Sequence, residues 1–138
     1  MSTEENKAIV RRFGQVWGKG SQAAVDEFAD ATLSVHYPML PEPIRGPAEF
    51  KQFLTQFHTA FPDANLVFDD MIAEDDKVVV RWTLRGTHQR ELLGIQSTGK
   101  KVTWTGITIY RLARGKVVEE RGEEDALGLL RQLGVIPA

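Results

Sequence analysis

The sequence predicts an α+β fold in which helices come first and a meander of antiparallel strands second. Two observations carry this reading. Apolar residues recur at helical spacing as far as Phe61, and after Pro62-Asp63 the spacing falls to a period of about 2. The alternating segments are then joined by short turn-forming stretches with no helical pattern between them, unlike the strand–helix alternation of a parallel α/β sheet.

Each element follows from its residues. Ser2 or Thr3 caps a first helix, and Ser2-x-x-Glu5 fits a capping box. Ile9, Val10, Phe13, Val16 and Trp17 form its apolar stripe, and Gly18 and Gly20 end it. Ser21 opens a shorter helix with Ala24, Val25 and Phe28 inward. Leu33, Val35 and Tyr37 alternate in a short strand whose other face carries His36. The stretch from Pro38 to Pro47 reads as a loop, and Gly46-Pro47 starts a third helix bearing Phe50, Phe53, Leu54, Phe57 and Phe61.

Leu66, Phe68 and Ile72 then belong to one strand, and Glu74-Asp75-Asp76 turns the chain. Val78, Val80, Trp82 and Leu84 alternate with Val79, Arg81, Thr83 and Arg85 in the next. A loop around Gly94 to Gly99 leads to a third long strand, Val102 to Leu112. Arg114-Gly115 turns into a fourth, running from Lys116 to near Glu123. A last helix from near Ala126 to Leu133 is expected to bury Leu127, Leu130 and Leu133.

Composition bounds the possibilities. A chain of 138 residues exposes about 7,200 Å² when folded and roughly 22,000 Å² when open, so about two-thirds of its surface is buried. That suits one domain spanning residues 1–138. Apolar residues at 42% and charged residues at 26% exclude wholesale disorder. A net charge of −2 offers no basic surface to nucleic acid. There is no cysteine, hence no disulfide, no zinc–thiolate site and no thiol nucleophile, which suits a reducing cytoplasm. No apolar run is long enough to span a membrane, and the acidic N-terminus does not resemble a signal peptide. The three histidines lack metal-ligand spacing, and neither a P-loop nor Gly-x-Ser-x-Gly occurs. Gly18-x-Gly20-x-x-Ala23 follows a helix rather than a strand and is no dinucleotide site. A twisted sheet with few helices to fill its concave face leaves room for an apolar ligand cavity. Trp82, Trp104 and Tyr110 have the alternation to line it.

Several stretches resemble the SnoaL-like polyketide cyclases, or ester cyclases, of the nuclear transport factor 2-like superfamily. They are Ala60-Phe61-Pro62-Asp63, Ile72-Ala73-Glu74 with Val78 to His88, Leu93-Gly94-Ile95, Thr98-Gly99-Lys100, Thr105-Gly106-Ile107, Gly115-Lys116-Val117 and Asp125-Ala126-Leu127-Gly128 with Gln132-Leu133-Gly134. The resemblance implies a cone-shaped α+β roll: a curved antiparallel sheet packed against three N-terminal helices, plus a short C-terminal helix. It implies cofactor-independent, intramolecular aldol-type closure of a polyketide-like ester, with no metal and a small hydrophobic substrate. Asp125 matches the aspartate that acts there as acid and base. His36 and His88 match recurring histidines that would contact substrate oxygens. Proteins resembling this one pair through the sheet, so a homodimer is expected through Thr103, Thr105, Ile107 and Ile109.

The residues leave alternatives open. Asp125 also stands where an N-cap belongs. Arg121 replaces the aromatic common in the family, and in a regular strand Arg121, Glu123 and Asp125 share a face. Arg121 with Asp125 resembles the arrangement in limonene-epoxide-hydrolase-like members, where carboxylates activate water. Hence a hydrolase or hydroxylase using Arg121 and Asp125, or a cone that only binds a small ligand, stands beside the cyclase. For His36 and His88 the plainer reading is a loop or surface histidine. For Trp82, Trp104 and Tyr110 it is sheet core.

Overall fold

In the computed structural model, which describes residues 2–137, four helices pack on one six-stranded sheet. Helix α1 (Thr3–Gly14) opens on the expected capping box: Glu5 N donates to Ser2 Oγ at 3.0 Å and Ser2 N to Glu5 Oε1 at 3.4 Å. Its apolar stripe tightens into a 3₁₀ turn, Gln15–Trp17, that delivers the Trp17 indole to the sheet. Helix α2 (Ala23–Phe28), strand β1 (Ala29–His36), the two-residue strand β2 (Ile44–Arg45) and helix α3 (Pro47–Ala60) complete the first half. Strand β2 sits inside the proline-rich stretch read as loop.

Strands β3 (Asn65–Glu74), β4 (Lys77–Thr87), β5 (Lys101–Ala113) and β6 (Lys116–Glu124) form the expected meander, and helix α4 (Ala126–Leu133) closes it. The sheet order is β2-β1-β6-β5-β4-β3. It is mixed rather than wholly antiparallel, because β1 pairs with β6 in parallel. Helix α3 carries the chain across the sheet to the far edge, and three hairpin reversals return β6 alongside β1 in the same direction. The exposed area, 7244 Å², matches the value expected from chain length.

Facing along β4 follows the alternation: Val78, Val80, Trp82 and Leu84 are buried. Register shifts in β3 and β6 break that simple parity. In β3 the pairing shifts between Phe68 and Asp70, so Leu66 is inward while Ile72 is 66% exposed. In β6 it shifts beside Val118, between Leu112↔Val117 and Arg111↔Glu119. Helix α4 buries Leu129 and Leu133, whereas Leu127 is 52% exposed. The inward stripe is therefore rotated from the expected one although the helix starts where expected: Leu129 takes the place given to Leu127.

Candidate functional site

The inner face of the sheet and the aromatic side of α3 enclose an apolar pocket. Its empty volume, mouth included, is about 700 Å³. Trp82, Trp104 and Tyr110 all line it, each buried on the inner face, as their alternation implies. Trp17, Tyr37 and Phe57 close another side, with the Trp17 ring meeting those of Tyr37 and Phe57 edge-on at 5.7 and 5.2 Å between centroids.

Two glycines make this wall possible. A Cβ on Gly106 would run into the Trp82 ring, and one on Gly122 would run into Tyr37. Both rings therefore sit against backbone where any other residue would displace them.

The bulge in β6 decides which acidic residues see the pocket. Continuing a period of two from inward-facing Val117 would turn Glu119, Arg121, Glu123 and Asp125 inward. The extra residue at Val118 reverses that parity, so Glu120 and Gly122 are buried and Arg121 and Glu123 are exposed. The expected set does share a face, but it is the outer one.

Asp125 is exposed and caps α4, its Oδ1 accepting from Gly128 N at 2.9 Å. Its carboxylate is not part of the pocket lining. Arg121 is exposed, with Nη2 3.3 Å from Glu119 Oε2 and 3.4 Å from His36 Nε2. His36 and Arg121 flank a separate outer groove beside Pro41 and Pro43, which Asp125 does not line. Burial and the Arg121 charge hold His36 below its ordinary value.

His88 is buried but stands behind the pocket, stacked on Phe61 at 5.4 Å. Its Nδ1 accepts from Thr98 N at 3.3 Å, leaving the ring proton on Nε2. Burial lowers its pKa, in keeping with that neutral form. Together with Gly99 N donating to its carbonyl at 2.8 Å, this makes His88 the fastener of the 88–100 loop. His58 bonds the Val16 carbonyl at 2.6 Å and ties α3 to the 3₁₀ turn.

Two carboxyls that the sequence reading did not single out face inward instead. Glu124 is the carboxylate among the pocket-lining residues, half-buried, taking Trp104 Nε1–H at 3.3 Å and Met39 N–H at 3.4 Å. Burial raises it above the usual carboxylate range, against the lowering effect of those two donors, and the Glu123 charge adds to the rise. Glu120 lies deeper and is completely buried. Burial pushes it up to about 7, although hydrogen bonds from Tyr37 and Trp17 pull the other way. The one signal in the sequence was Gly122, a glycine inside the strand four residues beyond Val118, since a glycine in a strand often accompanies a bulge.

Among the described residues this arrangement gives an aromatic pocket lined by one carboxyl, Glu124, held above its ordinary pKa. Such a group can take a proton from carbon and return it to oxygen. Among the described residues no helix is long and apolar enough to cross a membrane.

Comparison with known proteins agrees with the fold and narrows the chemistry. The family model for the SnoaL-like polyketide cyclase matches residues 7–133. The chain is 30% identical over 143 residues to the aklanonic acid methyl ester cyclase DnrD of Streptomyces peucetius, covering 97% of this chain and 92% of that protein. It is 29% identical over 132 residues to the aklanonic acid methyl ester cyclase DauD of Streptomyces sp. (strain C5), covering 91% and 80%. Among solved structures it is similar to TsrD from Streptomyces laurentii, with a TM-score of 0.86 at 25% identity over 99% of each chain. It is also similar to AclR, a candidate hydroxylase from Streptomyces galilaeus, with a TM-score of 0.83 at 28% identity over 99% of this chain and 85% of that one. Since the matched region 7–133 runs from within α1 to the end of α4 and takes in every strand that shapes the pocket, the chain belongs to the SnoaL-like polyketide cyclase family.

Proposed function

We propose that this chain closes a ring in a polyketide-like ester without a cofactor, using Glu124 as acid and base. The observation that carries this reading is the one carboxyl among the pocket-lining residues, raised by burial, in a member of a cyclase family. The Glu124 carboxylate removes a proton from the carbon between activating carbonyls. The enolate attacks a second carbonyl within the same molecule, forming the carbon–carbon bond and an alkoxide. The proton held on Glu124 then passes to that alkoxide and the carboxylate is restored. The aromatic walls favour a flat, largely apolar substrate and exclude water that would quench the enolate. We further propose that the exposed face of β5 pairs two copies of the chain.

The competing assignment of the acid/base to Asp125, with or without Arg121, is separated by one experiment. An aklanonic-type methyl ester is supplied to wild type, Glu124→Gln and Asp125→Asn, and ring closure is followed by absorbance. Glu124→Gln is expected to lower turnover by about 10²–10⁴, the usual worth of general acid–base catalysis. Asp125→Asn keeps a good cap and is expected to stay close to wild type. The reverse outcome moves the chemistry to Asp125 at the outer end of β6. Addition of water to a separately supplied epoxide, with no ring closure of the ester, would instead favour the water-activating reading with Arg121 and Asp125.

A further inference from the structure

Behind the pocket wall lies a polar chain that the proposed chemistry does not use. Glu120 Oε2 accepts Trp17 Nε1–H at 2.7 Å and Tyr37 O–H at 2.6 Å. The Tyr37 hydroxyl is also 2.8 Å from Thr108 Oγ1, and that oxygen accepts Trp82 Nε1–H at 2.9 Å. Two groups, from the 3₁₀ turn and the end of β1, thus meet one carboxyl of β6, and Tyr37 extends the chain to Thr108 of β5 and Trp82 of β4. Three of these residues, Trp17, Tyr37 and Trp82, line the pocket. Glu120 itself does not line it, and its Oε1 is buried with no partner among the described residues.

A buried carboxyl with one oxygen unpaired is expensive to keep. Leucine or methionine would fill the space without that cost. What a carboxylate does, and an apolar residue cannot, is accept from two aromatic donors at once and so fix the tilt of both rings. We propose that Glu120 is a positioning residue: through Trp17 on one side and Tyr37, Thr108 and Trp82 on the other, it sets the orientation of the aromatic wall against which the substrate lies. This rests on the ring-closing function proposed above for its effect on turnover, though not for its effect on the rings.

The arrangement has a direction. With Glu120 ionised, Tyr37 must donate to it, and Thr108 in turn donates to Tyr37. With Glu120 protonated, the acid can donate to Tyr37, and Tyr37 to Thr108, so the chain reverses polarity while keeping its geometry. Because burial lifts Glu120 to about 7, both states are reached near neutral pH. The groups facing it are Trp17 from the 3₁₀ turn, Tyr37 from the end of β1, and Thr108 and Tyr110 from β5, with Glu124 further along its own strand face. Both phenols lie well above their ordinary value and stay neutral throughout this range.

The test needs no substrate for its first arm. Tryptophan emission and near-ultraviolet circular dichroism of the whole chain are recorded from pH 5 to 9. Wild type is expected to show a step with a midpoint near 7 in both signals. Glu120→Gln, of nearly equal size and still able to accept from Trp17 and Tyr37, should fold and show no step. Tyr37→Phe removes a donor that lowers the Glu120 pKa, so its midpoint should move upward. Glu120→Leu should keep its far-ultraviolet spectrum and lose near-ultraviolet intensity. A step that persists in Glu120→Gln, or Tyr37→Phe with an unmoved midpoint, overturns the proposal. So does Glu120→Leu folded with a wild-type near-ultraviolet spectrum, and should that variant fail to fold, the other two decide.

The second arm is turnover of the ester. Glu120→Leu should lose about 10- to 100-fold in kcat, the penalty for misplaced reacting groups. Retention of wild-type kcat would confine Glu120 to the rings and remove it from the reaction. If wild type fails to turn over the ester, the ring-closing function falls, while the optical steps still decide whether Glu120 orients the wall.

Discussion

Like Glu124, which burial also raises, Glu120 ties stability to pH. Its ordinary value of 4.5 rises to about 7 in the folded protein. Between those limits the folded chain holds a proton that the unfolded chain has released, so stability falls as pH rises through the window. A shift of this size is worth about 3 kcal/mol once the group is fully ionised. His36 and His88 act in the opposite sense, because burial depresses them and the unfolded chain binds their protons first. They cost stability as pH falls below about 6.5, which flattens the wild-type profile. Comparing Glu120→Gln with wild type isolates the glutamate. The melting-temperature difference should move in favour of the variant by several degrees between pH 5 and pH 8, as scanning calorimetry would record, and a pH-independent difference would contradict the buried acid. Asp125 belongs to another category: Asp125→Ala should lose its cap, about 0.5–2 kcal/mol, as a thermal melt would record.

At the scale of elements, the strand–turn–strand units were legible because they depend on local rules. The alternation in β4 and the Arg114-Gly115 turn, both residues at positive φ, needed nothing beyond period and turn chemistry. Trp82, Trp104 and Tyr110 reached the pocket for the same reason. The acids of β6 did not, because a bulge is a pairing event between two strands and leaves no period of its own in one of them. One residue of parity separated Asp125 and Arg121 from Glu124 and Glu120. The parallel β1–β6 pair was hidden likewise, being set by the course of α3 across the sheet rather than by the residues of β1. The same strands give a prediction about their glycines. Gly122→Ala puts a methyl into the Tyr37 ring and should cost about 1–3 kcal/mol, as overpacking does. It should also break the Tyr37–Glu120 hydrogen bond, visible as an upward move of the emission midpoint like that expected for Tyr37→Phe. A Gly122→Ala variant as stable as wild type would mean that Tyr37 has another resting place.

Over the whole molecule the sheet has two unlike faces. The inner one is consumed by helices and pocket. The outer one leaves Ile107 and Ile109 49% and 42% exposed, in line with Thr103 and Thr105 on the longest strand. Exposed apolar surface on a flat strand is a liability unless something covers it, and a second copy would do so symmetrically. Light scattering should return twice the 15.5 kDa of the chain at micromolar concentration, and Ile107→Glu with Ile109→Glu should return a single copy. A monomer in the unaltered protein would refute the pairing. The bulge at Val118 has a consequence on a longer clock. Strand β6 carries carboxylates on both faces, and only the register chooses between them. Loss of the single codon for Arg121 would leave Glu120 where it is, set Asp125 in the place of Glu124 on the pocket side, and bring Glu123 to that of Gly122, where its side chain would displace the Tyr37 ring. A lineage could thus relocate its acid by one deletion, with no new acidic residue, so relatives that align well along this strand need not present the same carboxylate to their substrates.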